Sequence, residues 1–497
     1  MNHYKNRMST FRLAVFPIAN SELRKFIPMS IILFCTIFSF WMLRILKDPL
    51  ILTAPGSGAE VLSFLKLYVA LPCTMISMII YMKMRKVFSL ESTYYIISAA
   101  FVFFFLFFSL VLYPYHDLLH PPIEVVQELK NSYPVFRWFF VIYGVWTFSL
   151  FYVVSELWGT FLLTVMFWQF ANDNILTEEA KRYYPLFITI GNVAMLVLKP
   201  AVQLLISTGG DDILHACIVV CISALIQMAL LYYINRNVLP APKFKDMPYV
   251  SKKNYLSLRD SIRVLLHSEY IGYVAIMILS YGVTINLVEA MWKSQVRLVY
   301  PNRAELMAFN AEYTFWMGGV TILMNYTSKG LIRKLGWKVG ALITPLVCGF
   351  FGTIFYVFVL SKHVLFATGL HGNSLLMMTV WVGGFSVLMS KGSKYSFFDP
   401  TKEMAFIPLD VDLRTNGKAA ADGFGERLGK SLGGGLISSL IIMTGQDLDG
   451  LSHILALVVV ALSVFWFLSV HKLSVLYQNK LREQADAQHD VGFACSS

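Results

Sequence analysis

The chain has 497 residues, 57% of them hydrophobic and only 14% charged, with a net charge of +11. A soluble domain carries about 25% charged residues, so too few are present here to cover a surface facing water. That excludes a soluble enzyme, a DNA-binding domain and a disordered protein. Apolar runs such as Phe101–Leu112 and Trp138–Ala171 recur along the sequence, and a hydrocarbon layer asks for about 20 apolar residues per helical span. The chain is therefore expected to be an all-α polytopic membrane protein. Twelve spans read near 26–46, 62–82, 92–114, 136–170, 183–206, 213–235, 268–292, 309–328, 339–361, 374–391, 415–444 and 451–471. The polar stretch from Arg236 to Arg263 separates two sets of six. The expected organisation is an N-terminal segment (1–25), a first half (26–235), a linker (236–267), a second half (268–471) and a tail (472–497).

Loop charges support this count. With these spans, 29 Lys and Arg residues fall in segments on one side, and only Lys47, Lys130, Arg297, Arg303 and Lys362 on the other. The positive-inside rule then places both termini in the cytoplasm. No short apolar segment with a small-residue cleavage site follows the basic N-terminus, so neither a signal nor a transit peptide is read. The halves also echo one another: Phe167–Asp173 after span four resembles Tyr395–Thr401 after span ten. A six-helix half-repeat is the architecture of a transporter whose halves rock about a central site.

Charges inside the spans are the strongest functional signal. The cations there are Arg44, Lys66, Arg137, Lys199, Lys293, Arg427 and Lys430, and the acids Glu156, Glu289, Glu312 and Glu426. Each mid-bilayer charge costs about 2.5–3.5 kcal/mol even on the mildest scale, so such residues face a cavity or a partner. Arg44, Arg137 and Lys199 read as side chains reaching from helix ends to the interface. Lys66, Glu156, Glu289 and Lys430 read as functional, and the cationic excess suits a polyanion.

Other motifs carry less. Gly429–Ser431 resembles the end of a phosphate-binding loop, but position 424 is Phe where that motif needs Gly, and no strand precedes it. The glycines at 423, 425, 429 and 433–435 let another helix or a ligand approach the backbone. His116, Asp117 and His120 beside Pro121 and Pro122 read as a solvated turn, and Cys217 with Cys221 as small buried hydrophobes. No metal and no cofactor are expected.

The stretches Leu46–Asp48, Phe64–Lys66, Ser155–Gly159, Phe167–Asn172, Ile285–Glu289, Lys391–Pro408 and Leu428–Ser431 resemble the nucleotide transporters of obligate intracellular bacteria and plastids, the non-mitochondrial ATP/ADP translocases. The likeness spans about residues 20–475. It implies twelve helices of the major-facilitator type and a central nucleotide site to which Lys66, Glu156, Glu289 and Lys430 contribute. On this reading Lys66 and Lys430 neutralise phosphates, and Glu156 and Glu289 hold those lysines when the site is empty. Asn286, one turn before Glu289, reads the base with its amide, and Lys47, Lys293 and Arg427 are accessory. The resemblance implies ATP/ADP antiport through a bacterial inner membrane by a monomer that binds no nucleic acid. Exchange or proton-coupled import of GTP, CTP or UTP stays open, as does co-transport of phosphate. A membrane enzyme acting on a phosphorylated substrate is the remote alternative, and no nucleophile–base pair supports it.

Overall fold

The computed structural model describes residues 18–209, 211–239, 268–366, 372–409, 429 and 431–494, apart from the side chains at 177, 178, 181, 329, 363–366, 372, 373 and 484–494. Most of the expected linker, from 240 to 267, lies outside the described residues, as do Arg427 and Lys430. In chain order the main helices are α1 (Leu23–Leu52), α2 (Ala59–Val87), α3 (Leu90–Leu112), α4 (Trp146–Asn174), α5 (Thr177–Ser207), α6 (Asp212–Val238) and α7 (Glu269–Val299). The run Arg303–Phe366 breaks at Gly336, whose φ of 82° is the left-handed region that favours glycine; its two legs are α8 (303–335) and α9 (337–366). Then follow α10 (Ser374–Ala405), α11 (Ser431–Thr444) and α12 (Ser452–Ala494).

Ten helices among the described residues are long and apolar enough to cross a membrane. The expected spans at 309–328 and 415–444 correspond to α8 and to α11, the latter a shorter apolar helix. Two boundaries differ from expectation. The fourth span divides at Val145, between a helix at Arg137–Gly144 and α4, and α10 runs on to Ala405 rather than ending near 391. Side-chain caps set several starts: Ser89 accepts from the Ser92 amide, Asp211 from those of Ile213 and Leu214, and Ser268 from that of Ile271.

The helices alternate in direction, so one face carries the described chain ends and the other carries the turns at Gly56, Gly209 and Gly445. Glycines let α11 approach both a helix of its own half and one of the other. A Cβ on Gly433 would lie 2.7 Å from that of Asn286 on α7, and one on Gly434 would lie 3.3 Å from the Ser63 carbonyl on α2. The glycine stripe of α11 is thus a helix seam, which resolves the choice between helix and ligand at Gly433 and Gly434. Across the other seam, Gly318 of α8 sits against Met195 and the Asn192 carbonyl of α5.

Polar contacts between the halves gather toward the face opposite the termini. Arg137 Nη2 donates to Asp447 Oδ1 at 2.7 Å and to the Gly445 carbonyl at 3.0 Å. Arg303 donates to Asp212 Oδ1 at 2.8 Å and to the Tyr113 hydroxyl, while buried Glu60 accepts the Leu448 amide at 3.1 Å. Lys199 pairs with Glu312 at 2.5 Å and ties α5 to α8. Arg137 and Lys199 therefore bind the opposite half, a correction to the reading of them as interfacial side chains.

Both arginine pairs are partly exposed, so each contributes at most about 1 kcal/mol. Either Arg137→Gln or Arg303→Gln should raise the population open at this face by up to about fivefold, and the double variant by more. Spin labels at Glu128 and Gln446, exposed and on opposite halves, would report this as a growing long-distance population. An unchanged distance distribution in the double variant would show that these pairs do not hold the face shut.

Candidate nucleotide site

Every third or fourth residue of α1 near its far end is charged: Arg44, Lys47 and Asp48 share a face. Glu289 and Lys293 do the same on α7. Where these faces meet, Arg44 Nη2 donates to Glu289 Oε1 at 2.8 Å, and Lys293 Nζ to Asp48 Oδ2 at 2.7 Å. Two ion pairs thus join the halves at the centre of the fold. Lys293 also lies 3.2 Å from Glu289 Oε1, and Lys391 of α10 lies 3.3 Å from Glu289 Oε2. One carboxylate therefore serves three cations from α1, α7 and α10. Lys47 donates to Glu156 of α4 and sits 3.8 Å from the centroid of the Tyr152 ring.

Lys66 differs from all of these. It stands in the field of Lys293, Lys47, Glu289 and Asp48, yet among the described residues its side chain has no hydrogen bond and no ion pair. Its position comes from a widened turn, Leu65–Ala70, in which the Leu71 amide bonds back to the Lys66 carbonyl. Similar wide turns follow Glu156 (Gly159–Phe167) and Lys391 (Lys394–Phe398). Wide turns of this kind recur at functional positions. They re-aim the side chains beside them relative to the rest of the helix.

The site is not sealed. Glu156 is 39% accessible and Arg44 29%, although each lies mid-helix and is ion-paired to a neighbouring helix. Glu289, Asp48, Lys47 and Lys293 are buried. Open space therefore adjoins an arrangement of five cations (Arg44, Lys47, Lys66, Lys293, Lys391) and three carboxylates (Asp48, Glu156, Glu289). Such a surplus, with one lysine unpartnered, attracts a multiply charged anion.

Of the expected residues, Lys66, Glu156, Glu289, Lys47 and Lys293 come together here. The partners of the two glutamates differ from expectation: Glu156 holds Lys47, and Glu289 holds Arg44, Lys293 and Lys391. Asn286 lies one turn away on α7, where its amide donates to the Gly282 carbonyl at 2.8 Å and Gly433 packs on its Cβ. Lys430 lies outside the described residues; Gly429 before it rests on Gly282, a would-be Cβ 3.1 Å from its Cα.

Three members were missed in the sequence. Arg44 was read as interfacial and Lys391 as a loop cation; both are within helices and paired to Glu289. Asp48 was passed over because it adjoins the expected loop at 47. The i, i+3/i+4 spacing of Arg44, Lys47 and Asp48 was the available signal. Lys362, also counted as a loop cation, is buried and bonds to Gln295 and Asp449. His116 and His120 lie in the loop before α4. The first bonds to the Tyr113 carbonyl and the second to the Thr147 hydroxyl. Burial and the neighbouring His116 push His120 down to about 4, so it packs on Phe148 as a neutral ring.

The profile of the TLC ATP/ADP transporter family matches residues 1–477. The chain belongs to that family. It is similar to ADP,ATP carrier protein 1 of Rickettsia prowazekii (strain Madrid E), at 36% identity over 487 residues, covering 95% of this chain and 97% of the relative. It is also similar to ADP,ATP carrier protein 1 of Chlamydia pneumoniae, at 37% identity, covering 98% of each. In fold it resembles a bacterial homologue of the iron transporter ferroportin in an inward-facing state, with a TM-score of 0.59 and 14% identity, covering 92% of this chain and 100% of that one. The POT family transporter PepTSo gives 0.52 at 12% identity, covering 93% and 99%. The protein is a membrane transporter of the TLC family with a major-facilitator-like fold, not an enzyme.

Charge arithmetic separates the roles of two site residues. Neutralising Glu289 leaves Arg44 and Lys391 without an ion-pair partner among the described residues, while Lys293 keeps Asp48, and breaking a buried pair costs about 3–5 kcal/mol. Removing Lys66 takes away an ammonium with no ion-pair partner among the described residues, and its repulsion from Lys47 and Lys293. The attraction lost is to Glu289 and Asp48, neither of which is within ion-pair distance. In the ligand-free protein, Glu289→Gln should therefore melt several degrees lower than wild type, while Lys66→Ala should melt at or above it. A thermal unfolding series in detergent checks this, and a large fall in Lys66→Ala would contradict the assignment of Lys66 as unpartnered.

Proposed function

We propose that this TLC-family transporter exchanges ATP for ADP by alternating access, with the phosphates received among Lys66, Glu156, Glu289, Lys47 and Lys293, and with Lys430 and Arg427 as further phosphate ligands. The observation that carries the reading is the central cluster, in which the halves of an ATP/ADP transporter fold meet through interdependent ion pairs beside an unpartnered lysine. An anion attracted by Lys66 meets charges from both halves at once. Each half then gains from closing on it. The empty carrier has its own satisfied pairs, so it crosses slowly, and exchange outruns leak.

Reconstituted protein should take up labelled ATP rapidly only when the vesicles contain ADP or ATP. Uptake indifferent to internal nucleotide would point to net import instead. GTP, CTP, UTP and inorganic phosphate, added as competitors and as internal counter-substrates, define the range. Asn286 is the proposed base reader: one amide donor is occupied by Gly282, which leaves its carbonyl oxygen and second N–H for a base edge. Asn286→Ala should change the ranking of competing nucleotides, a lost contact being worth about 0.5–1.5 kcal/mol. An unchanged ranking would remove Asn286 from the base site.

The proposed setting is a bacterial inner membrane, with a monomer whose termini are cytoplasmic. The charge asymmetry of the loops supports the cytoplasmic termini. A cysteine introduced between 236 and 263 should react with an impermeant thiol reagent only from the cytoplasmic side, and one at Asp211 only from outside. The reverse labelling would invert the topology.

A further inference from the structure

We propose that Arg44 and Lys391 are phosphate-binding residues, kept in the unloaded carrier by Glu289, whose carboxylate takes the place that a phosphate group of the substrate occupies. The proposal rests on the substrate being a nucleotide. It adds two residues to the site and gives Glu289 a role as the substrate's internal competitor.

The argument begins with how the three cations around Glu289 are provided for. Lys293 has a second carboxylate, Asp48, at 2.7 Å, so it remains neutralised if Glu289 turns away. Arg44 and Lys391 have ion-pair contact with Glu289 alone among the described residues. Arg44 is on α1 and Lys391 on α10, so the two also belong to opposite halves. A guanidinium and an ammonium within a bilayer protein need an anion, and they accept carboxylate or phosphate oxygens with the same kind of charge-assisted bond. Releasing them from Glu289 without replacement leaves two cations uncompensated.

The missing compensation specifies the ligand. With Lys66 also lacking a described partner, it must satisfy three cations on three helices, Arg44, Lys66 and Lys391, which takes more negative charge and more reach than one anionic group provides. A nucleoside di- or triphosphate meets that requirement through its phosphate chain, and a monophosphate meets it poorly. Accessibility agrees, since Arg44 is the most open of the Glu289 partners, at 29%. Lys66, with no described partner, is placed to make the first contact. The wide turn of α10 beginning at Lys394, one turn after Lys391, gives that helix freedom to re-aim Lys391 when its partner changes.

The test uses the full-length purified protein in lipid nanodiscs, with ADP, ATP, AMP and pyrophosphate as separate probes in titration calorimetry. Lys391→Gln and Arg44→Gln should each weaken ADP and ATP roughly ten- to hundredfold, the range for a hydrogen bond to a charged group. They should leave AMP within about threefold. Lys391→Arg should recover most of the ADP affinity. Pyrophosphate should weaken in parallel with ADP, which separates the phosphate chain from the base as the recognised part. Lys472→Ala, exposed near the chain end, should bind as wild type.

Should a glutamine variant fail to fold, Glu289→Gln supplies an independent measurement. Removing the competitor should make the ADP-induced rise in melting temperature larger than in wild type, because the ligand then provides the absent anion. ADP affinity within twofold of wild type in folded Lys391→Gln and Arg44→Gln would overturn the assignment. Equal losses for ADP and AMP, or a smaller ADP-induced rise in Glu289→Gln, would overturn it too. A wild-type protein that binds pyrophosphate but neither ADP nor ATP would instead overturn the nucleotide reading, and this proposal with it.

Discussion

A carboxylate shared by three cations inside a bilayer protein is the constraint on which the rest of the structure depends. Glu289, buried on α7 beside Lys293 of its own helix, draws Arg44 of α1 and Lys391 of α10 to the same carboxylate, and either cation left without it at that depth would cost several kcal/mol. Helix placement in both halves therefore answers to one residue. The second link, Lys293 to Asp48, makes the same demand between α1 and α7. Small residues make seams elsewhere around these helices: Gly433 packs α11 on α7, Gly434 packs it on α2, and Gly318 packs α8 on α5. In a bilayer, where apolar side chains gain little by leaving lipid, such close backbone contact is a main source of helix association.

This coupling connects electrostatics to movement. Arginine pairs at the far face and the Glu60 cap on Leu448 close one end of the interface. The central pairs join the halves deeper in. The outer contacts are partly solvated and individually weak, whereas the central ones are buried and expensive to break singly. A carrier built this way opens its periphery readily but rearranges its centre only when another charged group takes over a pairing. Selectivity for exchange then needs no separate gate.

The all-helical membrane fold and the positions of most spans were legible because hydrophobic run length is set by bilayer thickness, which is independent of tertiary contacts. Site residues were partly legible for a related reason: Lys66, Glu156 and Glu289 stand out against apolar neighbours. Pairing was not legible. Glu289 and Lys391 are far apart in sequence, and only the packing of α10 on α7 shows that Lys391 belongs to the site rather than to a loop. Arg44 illustrates the same limit, since interfacial and buried arginines look alike in a sequence. The break at Val145 and the wide turns beside Lys66, Glu156 and Lys391 left no compositional mark, because the same apolar residues serve either hydrogen-bonding register.

The two ends of α2 are solvated by different media. Ala59–Phe64 is buried throughout, whereas beyond the wide turn, across Leu71–Val87, Tyr81 is the buried residue. Met75, Ile76, Ile79 and Ile80 are exposed there, and an apolar crevice of about 290 Å³ lies between Ser77, Ile80, Tyr81, Phe101, Phe104 and Phe161. In a bilayer that half of the helix offers its apolar side chains to acyl chains rather than to protein. The bilayer is thus a packing partner whose density varies with chain order and thickness, at a cost of fractions of a kcal/mol per ångström of mismatch. Turnover in this protein should carry an imprint of membrane fluidity that a detergent micelle does not reproduce.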